Sequence, residues 1–229
     1  MKIKTILIPF VIIVLYSNTY GQTCYFTNLN SFGGKPTNYS GNSNLDYFLT
    51  NEYNQLVRCF GVKPNSFYIY EDNLPNAFAS SSISNNSLPD GTVVLGLKLT
   101  NQECFNSPSG TCVAMAVVLS HEFAHILDFK NNFVIVQGKK KELFADYMAG
   151  VYLHTRQLIF AYTDMKEAAY SIFTKGDSDF NSPSHHGTST ERMNALLAGY
   201  EFSKNKVASG IYNFSVFEAM NSAKIFLNF

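Results

Sequence analysis

The stretch VVLSHEFAHILDF, residues 117–129, combines a nearly unbroken apolar run with two histidines and a glutamate. His121 and His125 stand four positions apart, and Glu122 directly follows the first of them. Apolar residues surround this segment on every side of a helix, which predicts a buried helix over about residues 113–129. Polar groups on a buried helix need partners, because an unpaired polar group in a protein interior is costly.

The spacing of this HExxH pattern is typical of a zinc site. Residues i and i+4 lie on one face of a helix, so His121 and His125 can offer imidazole nitrogens to the same Zn²⁺ ion. Glu122 is one position around the helix, where it reaches a water molecule at the ion. Because zinc lowers the pKa of such a water towards about 7, Glu122 is predicted to be the general base. The alternative is a chance pattern with both histidines facing solvent, which we expect in roughly one such chain in a few hundred.

A zinc site of this kind needs a third protein ligand. The stretch ELFAD, residues 142–146, begins a second predicted helix over about residues 141–158. Glu142 would complete a His-His-Glu set, and Asp146, one turn later, would accept a hydrogen bond from the far nitrogen of a ligand histidine. The alternative for Glu142 is a carboxylate that only stabilises the helix N-terminus. Asp128 is either a partner of the ligands or solvated.

The first 21 residues are predicted to be a secretory signal peptide. Lys2 and Lys4 precede the apolar run TILIPFVIIVLY, residues 5–16, which is shorter than the roughly 20 residues that span a bilayer. A membrane anchor is the alternative. No later segment is apolar enough to span, so we expect a secreted or periplasmic protein without a membrane span once the signal is removed.

The four cysteines all follow the predicted signal, and an oxidising compartment would favour their pairing. Four cysteines allow three connectivities. We favour Cys104 with Cys112, which would close the loop CFNSPSGTC just before the HExxH helix, and Cys24 with Cys59. Free buried thiols are the alternative. None of the cysteines has a CxxC spacing, so a cysteine ligand to a metal is not expected.

Composition and order of elements predict the fold class. The chain has 229 residues, a formal net charge of zero and 46% hydrophobic residues, which suits one domain with a real core and gives no indication of nucleic-acid binding. Residues 22–43 are predicted to be an irregular lead-in, and residues 44–229 a single domain. The predicted strands are residues 66–71, 76–80 and 92–99. The predicted helices are residues 44–60, 113–129, 141–158, 162–174, 190–202 and 215–226. Strands before helices predict an α+β fold.

Two motifs, HEFAH and ELFADYMAGVYL, resemble the gluzincin zinc metallopeptidases, which add a glutamate from a following helix to HExxH. They are similar to the bacterial neutral zinc metallopeptidase family and to minimal peptidases of the CAAX-protease and heat-shock-protease type. FYIYEDNLPNAFAS with GTVVLGLKL, residues 67–99, resembles the strand block of these families, and HHGTSTERM, residues 185–193, resembles their late His/Thr-Ser-x-x-Arg segment. The resemblance covers roughly residues 45–200.

The resemblance implies a zincin-like fold, with a small antiparallel or mixed sheet, an active-site helix, a glutamate-bearing helix and C-terminal helices. It implies that His121, His125 and Glu142 bind zinc and that Glu122 is the catalytic base. It also implies that a peptide substrate adds as a strand to a sheet edge beside the zinc. That edge consists of Asn76, Ala77, Phe78 and Ala79.

The resemblance further implies that His186 and Arg192 lie near the site, where an imidazole or guanidinium stabilises an oxyanion. Their alternative is a surface histidine and an ordinary helix arginine. The chain departs from the families in three respects. The membrane relatives have transmembrane helices, the spacing between HExxH and the glutamate is short, and a glycine often precedes the second histidine, where this chain has Ala124.

An exported zinc endopeptidase acting on a peptide or protein is therefore the first hypothesis. A non-catalytic zinc- or peptide-binding module on the same fold is the second, although a decayed enzyme would be expected to lose Glu122 first. A zinc amidase acting on a non-protein amide of the cell wall is the third. Its chemistry at the carbonyl is the same, so sequence does not separate it from the first.

Overall fold

The computed structural model describes residues 25–26, 36–70, 75–105, 111–134, 138–160, 167–171 and 186–229. The predicted signal peptide and Cys24 lie outside these residues, as does much of the predicted helix 162–174. The described residues form an α+β fold, as predicted. None of their helices is long and apolar enough to cross a membrane.

Apart from the first helix, the strands precede the long helices, as the sequence pattern predicts. The elements are β1 (Tyr25–Phe26), β2 (Pro36–Thr37), α1 (Ser43–Phe60), β3 (Asn65–Ile69), β4 (Ala77–Ser80), β5 (Thr92–Gly96), α2 (Leu97–Phe105), α3 (Val113–Asn131), α4 (Lys139–Thr155), a short helical segment at 167–171, α5 (Ser189–Ala208) and α6 (Val216–Leu227).

The strands form one mixed sheet in the order β1-β4-β5-β3-β2. Strands β1 and β2 come from the predicted lead-in, so the prediction that residues 22–43 are wholly irregular is wrong at these two places. Both strands have only two residues, too few to show the alternation by which a strand is recognised in a sequence.

The predicted strand 92–99 is too long, because its last residues begin helix α2. Leu97 and Leu99 alternate with polar residues as they would in a strand, which explains the error. The chain turns into a helix after Gly96, whose carbonyl accepts a hydrogen bond from Thr100 Oγ1 at 2.7 Å. Leu97, Thr100 and Cys104 are all buried, so the buried positions of α2 recur with a helical period.

Strand β4 is covered over its last two residues, so it is not wholly the free sheet edge that the resemblance implies. Along its whole length it pairs with β5 in antiparallel register. On its other side β1 pairs with Ala79 and Ser80 in parallel register. Of the predicted substrate edge, Asn76 precedes the strand, and its carbonyl accepts a hydrogen bond from Gly96. The prediction of an open edge is therefore wrong at Ala79, where the chain itself supplies the neighbouring strand.

Helix α3 is the centre of the hydrophobic core, as its apolar flanks predict. Every residue from Val113 to Asp128 is buried. The helix packs against α1, α2, α4 and the inner strands β4 and β5. Any polar side chain on its middle turns is therefore enclosed by other elements, which is the environment that a metal centre requires.

Helix α4 lies against α3 on one side and α5 on the other, and two glycines let α4 and α5 approach closely. A Cβ atom at Gly150 would overlap the carbonyl oxygen of Leu196, and one at Gly199 would overlap that of Tyr147. The two backbones therefore touch where the helices cross.

The predicted disulfide between Cys104 and Cys112 is present and joins the end of α2 to the start of α3. Cys59 carries a free thiol in the described part of the chain, and burial raises the pKa of that thiol to about 12. Its predicted partner, Cys24, lies outside the described residues, so that pairing stays a prediction.

Candidate metal centre

Three buried side chains converge as the sequence predicts. His121 Nε2 and His125 Nε2 are 3.1 Å apart. Glu142 Oε2 lies 3.4 Å from His121 Nε2, and Glu142 Oε1 lies 3.6 Å from His125 Nε2. Ligands at about 2.0–2.1 Å from a tetrahedral zinc ion lie about 3.3 Å from one another. The three donor groups therefore have the spacing of a tetrahedral metal site.

Two helices supply these ligands. The histidines occupy successive turns of one face of α3, and their rings stand nearly perpendicular at 84°. Glu142 lies in the first turn of α4, which packs against α3. All three residues are at least 97% buried, so a metal would be held in a low-dielectric environment. The group can hold a metal ion.

Asp146 has the position predicted for it. Its Oδ1 lies 2.8 Å from His121 Nδ1, which donates a hydrogen bond to the carboxylate. Burial raises the pKa of Asp146, but the charge of Arg192 and contact with His121 outweigh burial and leave that pKa below its usual value. An ionised Asp146 keeps the proton of His121 on Nδ1, so that the lone pair of Nε2 faces the other two ligands.

Arg192 lies near the site but has a different contact from the one expected. Its Nε donates to Asp146 Oδ2 at 2.7 Å, and its Nη2 donates to Asp146 Oδ1 at 2.8 Å. The guanidinium thus pairs with the carboxylate that contacts Nδ1 of His121, on the side of the imidazole away from Nε2. The guanidinium is therefore directed at Asp146, and the role of Arg192 in stabilising an oxyanion stays a prediction.

Glu122 is buried beside the three ligands, and its Oε2 has no hydrogen-bond partner among the described residues. Burial raises the pKa of Glu122 to about 8, although His121 acts to lower it. Glu142 Oε2 also lacks a hydrogen-bond partner within the described chain. Two orphaned carboxylate oxygens at one buried place are costly unless a cation or water joins them.

The histidines are suited to act as ligands because a metal requires the neutral imidazole. Burial lowers the pKa of His125 to about 3, so His125 is neutral at physiological pH. Burial raises the pKa of Glu142, but the two histidines and Arg192 bring it below its usual value, so Glu142 is ionised. Two nitrogen donors and one carboxylate are therefore ready to bind a divalent cation, and the site residues fit such an ion.

His186 lies directly before α5 and is buried. The next residue, Gly187, faces Leu143 and Lys139 in the first turn of α4, close to Glu142 along the chain. The structure thus brings this segment to the helix that carries the third ligand. The role of His186 in stabilising an oxyanion stays a prediction.

The sequence pattern did not predict one buried ion pair beside the ligands, between Asp128 and Lys141. Asp128 is neither solvated nor in contact with the ligand histidines, since its Oδ2 accepts a hydrogen bond from Lys141 Nζ at 2.9 Å in the interior. A signal was present in the run KKK, residues 139–141. Three lysines in the first turn of a helix oppose the helix dipole and therefore need another reason to be there.

Comparison with known proteins identifies no relative of this chain: no protein family, no curated protein and no solved structure matches it. The gluzincin resemblance accordingly depends on the quoted motifs.

Proposed function

We propose that this chain is an exported zinc-dependent endopeptidase. His121, His125 and Glu142 bind the metal, and Glu122 is the general base. The observation that carries the proposal is the convergence of the three donor groups at 3.1–3.6 Å with an orphaned, buried glutamate next to them. A structural role alone does not explain why four titratable side chains are buried together.

The donor set favours zinc over other common metals. Two imidazoles and one carboxylate with tetrahedral spacing are typical of catalytic zinc sites, which leave the fourth position to water. Oxygen-seeking cations such as Mg²⁺ and Ca²⁺ prefer six or more oxygen ligands, which these three residues do not offer. When bound, zinc supplies a Lewis acid that activates a water and polarises the substrate carbonyl.

The protein's own residues do the remaining work. Glu122 accepts a proton from the attacking water and passes it to the nitrogen of the leaving amine. Asp146 and Arg192 hold the imidazole of His121 in the tautomer and orientation that the metal requires. The Cys104–Cys112 disulfide is in keeping with an exported protein.

The proposal is tested by metal analysis and by hydrolysis of a peptide library. Wild type is compared with Glu122→Gln and with Glu201→Gln, an exposed glutamate on α5 that serves as the matched control. We expect about one zinc per chain in all three proteins. We expect peptide hydrolysis to fall about 10²–10⁴-fold in Glu122→Gln, the usual contribution of a general base, and to stay unchanged in Glu201→Gln.

Each other outcome has a definite meaning. A wild type that binds no metal overturns the site. A zinc-loaded wild type that is as inert as Glu122→Gln towards every peptide supports a binding module. Cleavage of cell-wall amides without cleavage of peptides supports the amidase.

A further inference from the structure

We propose that Asp128 and Lys141 form a clasp that sets the position of Glu142 relative to the two histidines, so that both are positioning residues of the metal site. This inference rests on the metal centre proposed above, and it goes beyond that proposal because neither residue contacts the ligand atoms. The contacts that the two side chains make support this inference.

Asp128 organises the chain where it leaves α3. Its main-chain carbonyl accepts from the N–H of Asn132, which has the left-handed conformation at the helix end. Its side-chain Oδ1 accepts from the N–H of Val134 at 2.6 Å. The main-chain carbonyl and the carboxylate of Asp128 therefore both fix the direction of the chain as it leaves α3 towards α4.

The other oxygen of the same carboxylate reaches α4. Asp128 Oδ2 accepts from Lys141 Nζ at 2.9 Å, and both side chains are buried. Lys141 immediately precedes Glu142, and Asp128 follows His125 by three residues, on the same side of α3. The ion pair thus ties the turn that carries the third ligand to the turn that carries the second.

Lys139 and Lys140 also hold the start of α4, through Glu191 Oε1 and the carbonyl of Asn228, but these contacts are half-buried and exposed, whereas the Asp128–Lys141 pair is buried. Gly138, the residue before the helix, provides no side-chain hydrogen bond to cap it. A positive charge in the first turn opposes the helix dipole, so Lys141 does not stabilise the helix by itself. Removing a buried charged group from water is costly, and such pairs are retained in some proteins because they specify one geometry. At this place the geometry specified is that of Glu142.

The distances at the site show how much accuracy is required. Glu142 places one oxygen near each histidine, at 3.4 and 3.6 Å. If the first turn of α4 shifted by about 1 Å, one of these oxygens would leave the range of tetrahedral coordination. Residues that do not bind the metal but hold its ligands in position typically contribute 10–100-fold to metal affinity.

The test compares two double variants, each of which removes an ion pair that has one member at α4. Asp128→Asn with Lys141→Met removes both charges of the clasp and keeps an oxygen for the N–H of Val134. Glu52→Gln with Arg156→Met is the matched control, because it removes another ion pair, between buried Glu52 and the half-buried Arg156 that follows the last residue of α4. Zinc affinity is measured by competition with a chelator, stability of the metal-free proteins by urea unfolding, and ligand geometry by the visible absorption of the cobalt-loaded proteins.

We expect the clasp variant to bind zinc about 10–100-fold more weakly and to change the cobalt spectrum. The control should lose stability yet bind zinc within about twofold of wild type. If the clasp variant does not fold, Lys141→Gln replaces it, since its amide can still donate to Asp128 while the positive charge is gone, and a loss of about tenfold is expected.

The clasp is overturned if the clasp variant binds zinc as wild type does, or if both double variants weaken zinc equally. A wild type that binds neither zinc nor cobalt overturns the metal centre itself, and the clasp with it. The two failures are therefore distinguishable.

Discussion

Glu122 is a residue at this site whose charge depends strongly on its surroundings. The pKa of Glu122 is about 8 in the folded protein without metal, against 4.5 for a glutamate side chain exposed to water. Burial is the main cause, and the neighbouring Glu142 adds to it. In the metal-free protein Glu122 therefore keeps its proton to neutral pH, whereas the neighbouring Glu142 is ionised.

The first prediction follows from this shift. Between pH 4.5 and pH 8 the unfolded chain has released the proton of Glu122 while the folded metal-free protein keeps it. The folded state then binds more protons, so stability falls as the pH rises, by up to about 1.4 kcal/mol per pH unit. Glu122→Gln lacks this loss. Its free energy of unfolding relative to wild type should rise from pH 5 to pH 8 and level off above pH 8.

Urea unfolding in the presence of a chelator measures this difference. The other buried groups titrate in both proteins, so their contributions cancel in the comparison. Parallel curves for the two proteins between pH 5 and pH 8 would contradict the raised pKa of Glu122.

At the scale of elements, the crossing of α4 and α5 connects packing to the metal site. Gly150 follows Asp146 by one turn on α4, and Gly199 lies two turns after Arg192 on α5. The close approach of the helices allows the guanidinium of Arg192 to reach the carboxylate behind His121. A change at either glycine therefore affects the ligand as well as the core.

We predict that Gly150→Ala destabilises the protein by at least about 3 kcal/mol, because the new methyl group meets a backbone carbonyl that cannot move alone. Helix propensity by itself predicts the opposite sign, a gain of about 1 kcal/mol. Thermal unfolding measures the change, and Asn205→Ala, at an exposed position of α5, is the control, with an expected effect within about 0.5 kcal/mol. A more stable Gly150→Ala would disprove the close crossing.

At the scale of the whole molecule, a metal that binds only the folded state stabilises the entire chain. Zinc at about 1,000 times its dissociation constant adds about 4 kcal/mol. For a chain of this size each kcal/mol raises Tm by about 2–4 °C, so a chelator should lower Tm by about 10 °C. Differential scanning calorimetry with and without chelator measures the shift. A double variant with His121→Ala and His125→Ala should show none, and an equal shift in it would mean that the metal acts elsewhere.

Local chemistry made much of this protein predictable. A spacing of four places His121 and His125 on one face of any helix, and apolar flanks bury that helix, whatever surrounds it. The order of strands and helices likewise indicates the α+β class before any contact is known. These features depend on neighbours within one or two turns, and sequence patterns carry such information directly.

Contacts between distant segments needed the folded chain. Glu142 was a ligand candidate from its place at the start of the second predicted helix, but its distance from the histidines depends on the turn that Asp128 and Lys141 hold. The contact of Arg192 with Asp146 depends on two helices crossing at glycines, and β4 has a covered edge because residues 25–26 return to it. No local pattern encodes these distances, because each is the sum of many side-chain contacts along separate parts of the chain.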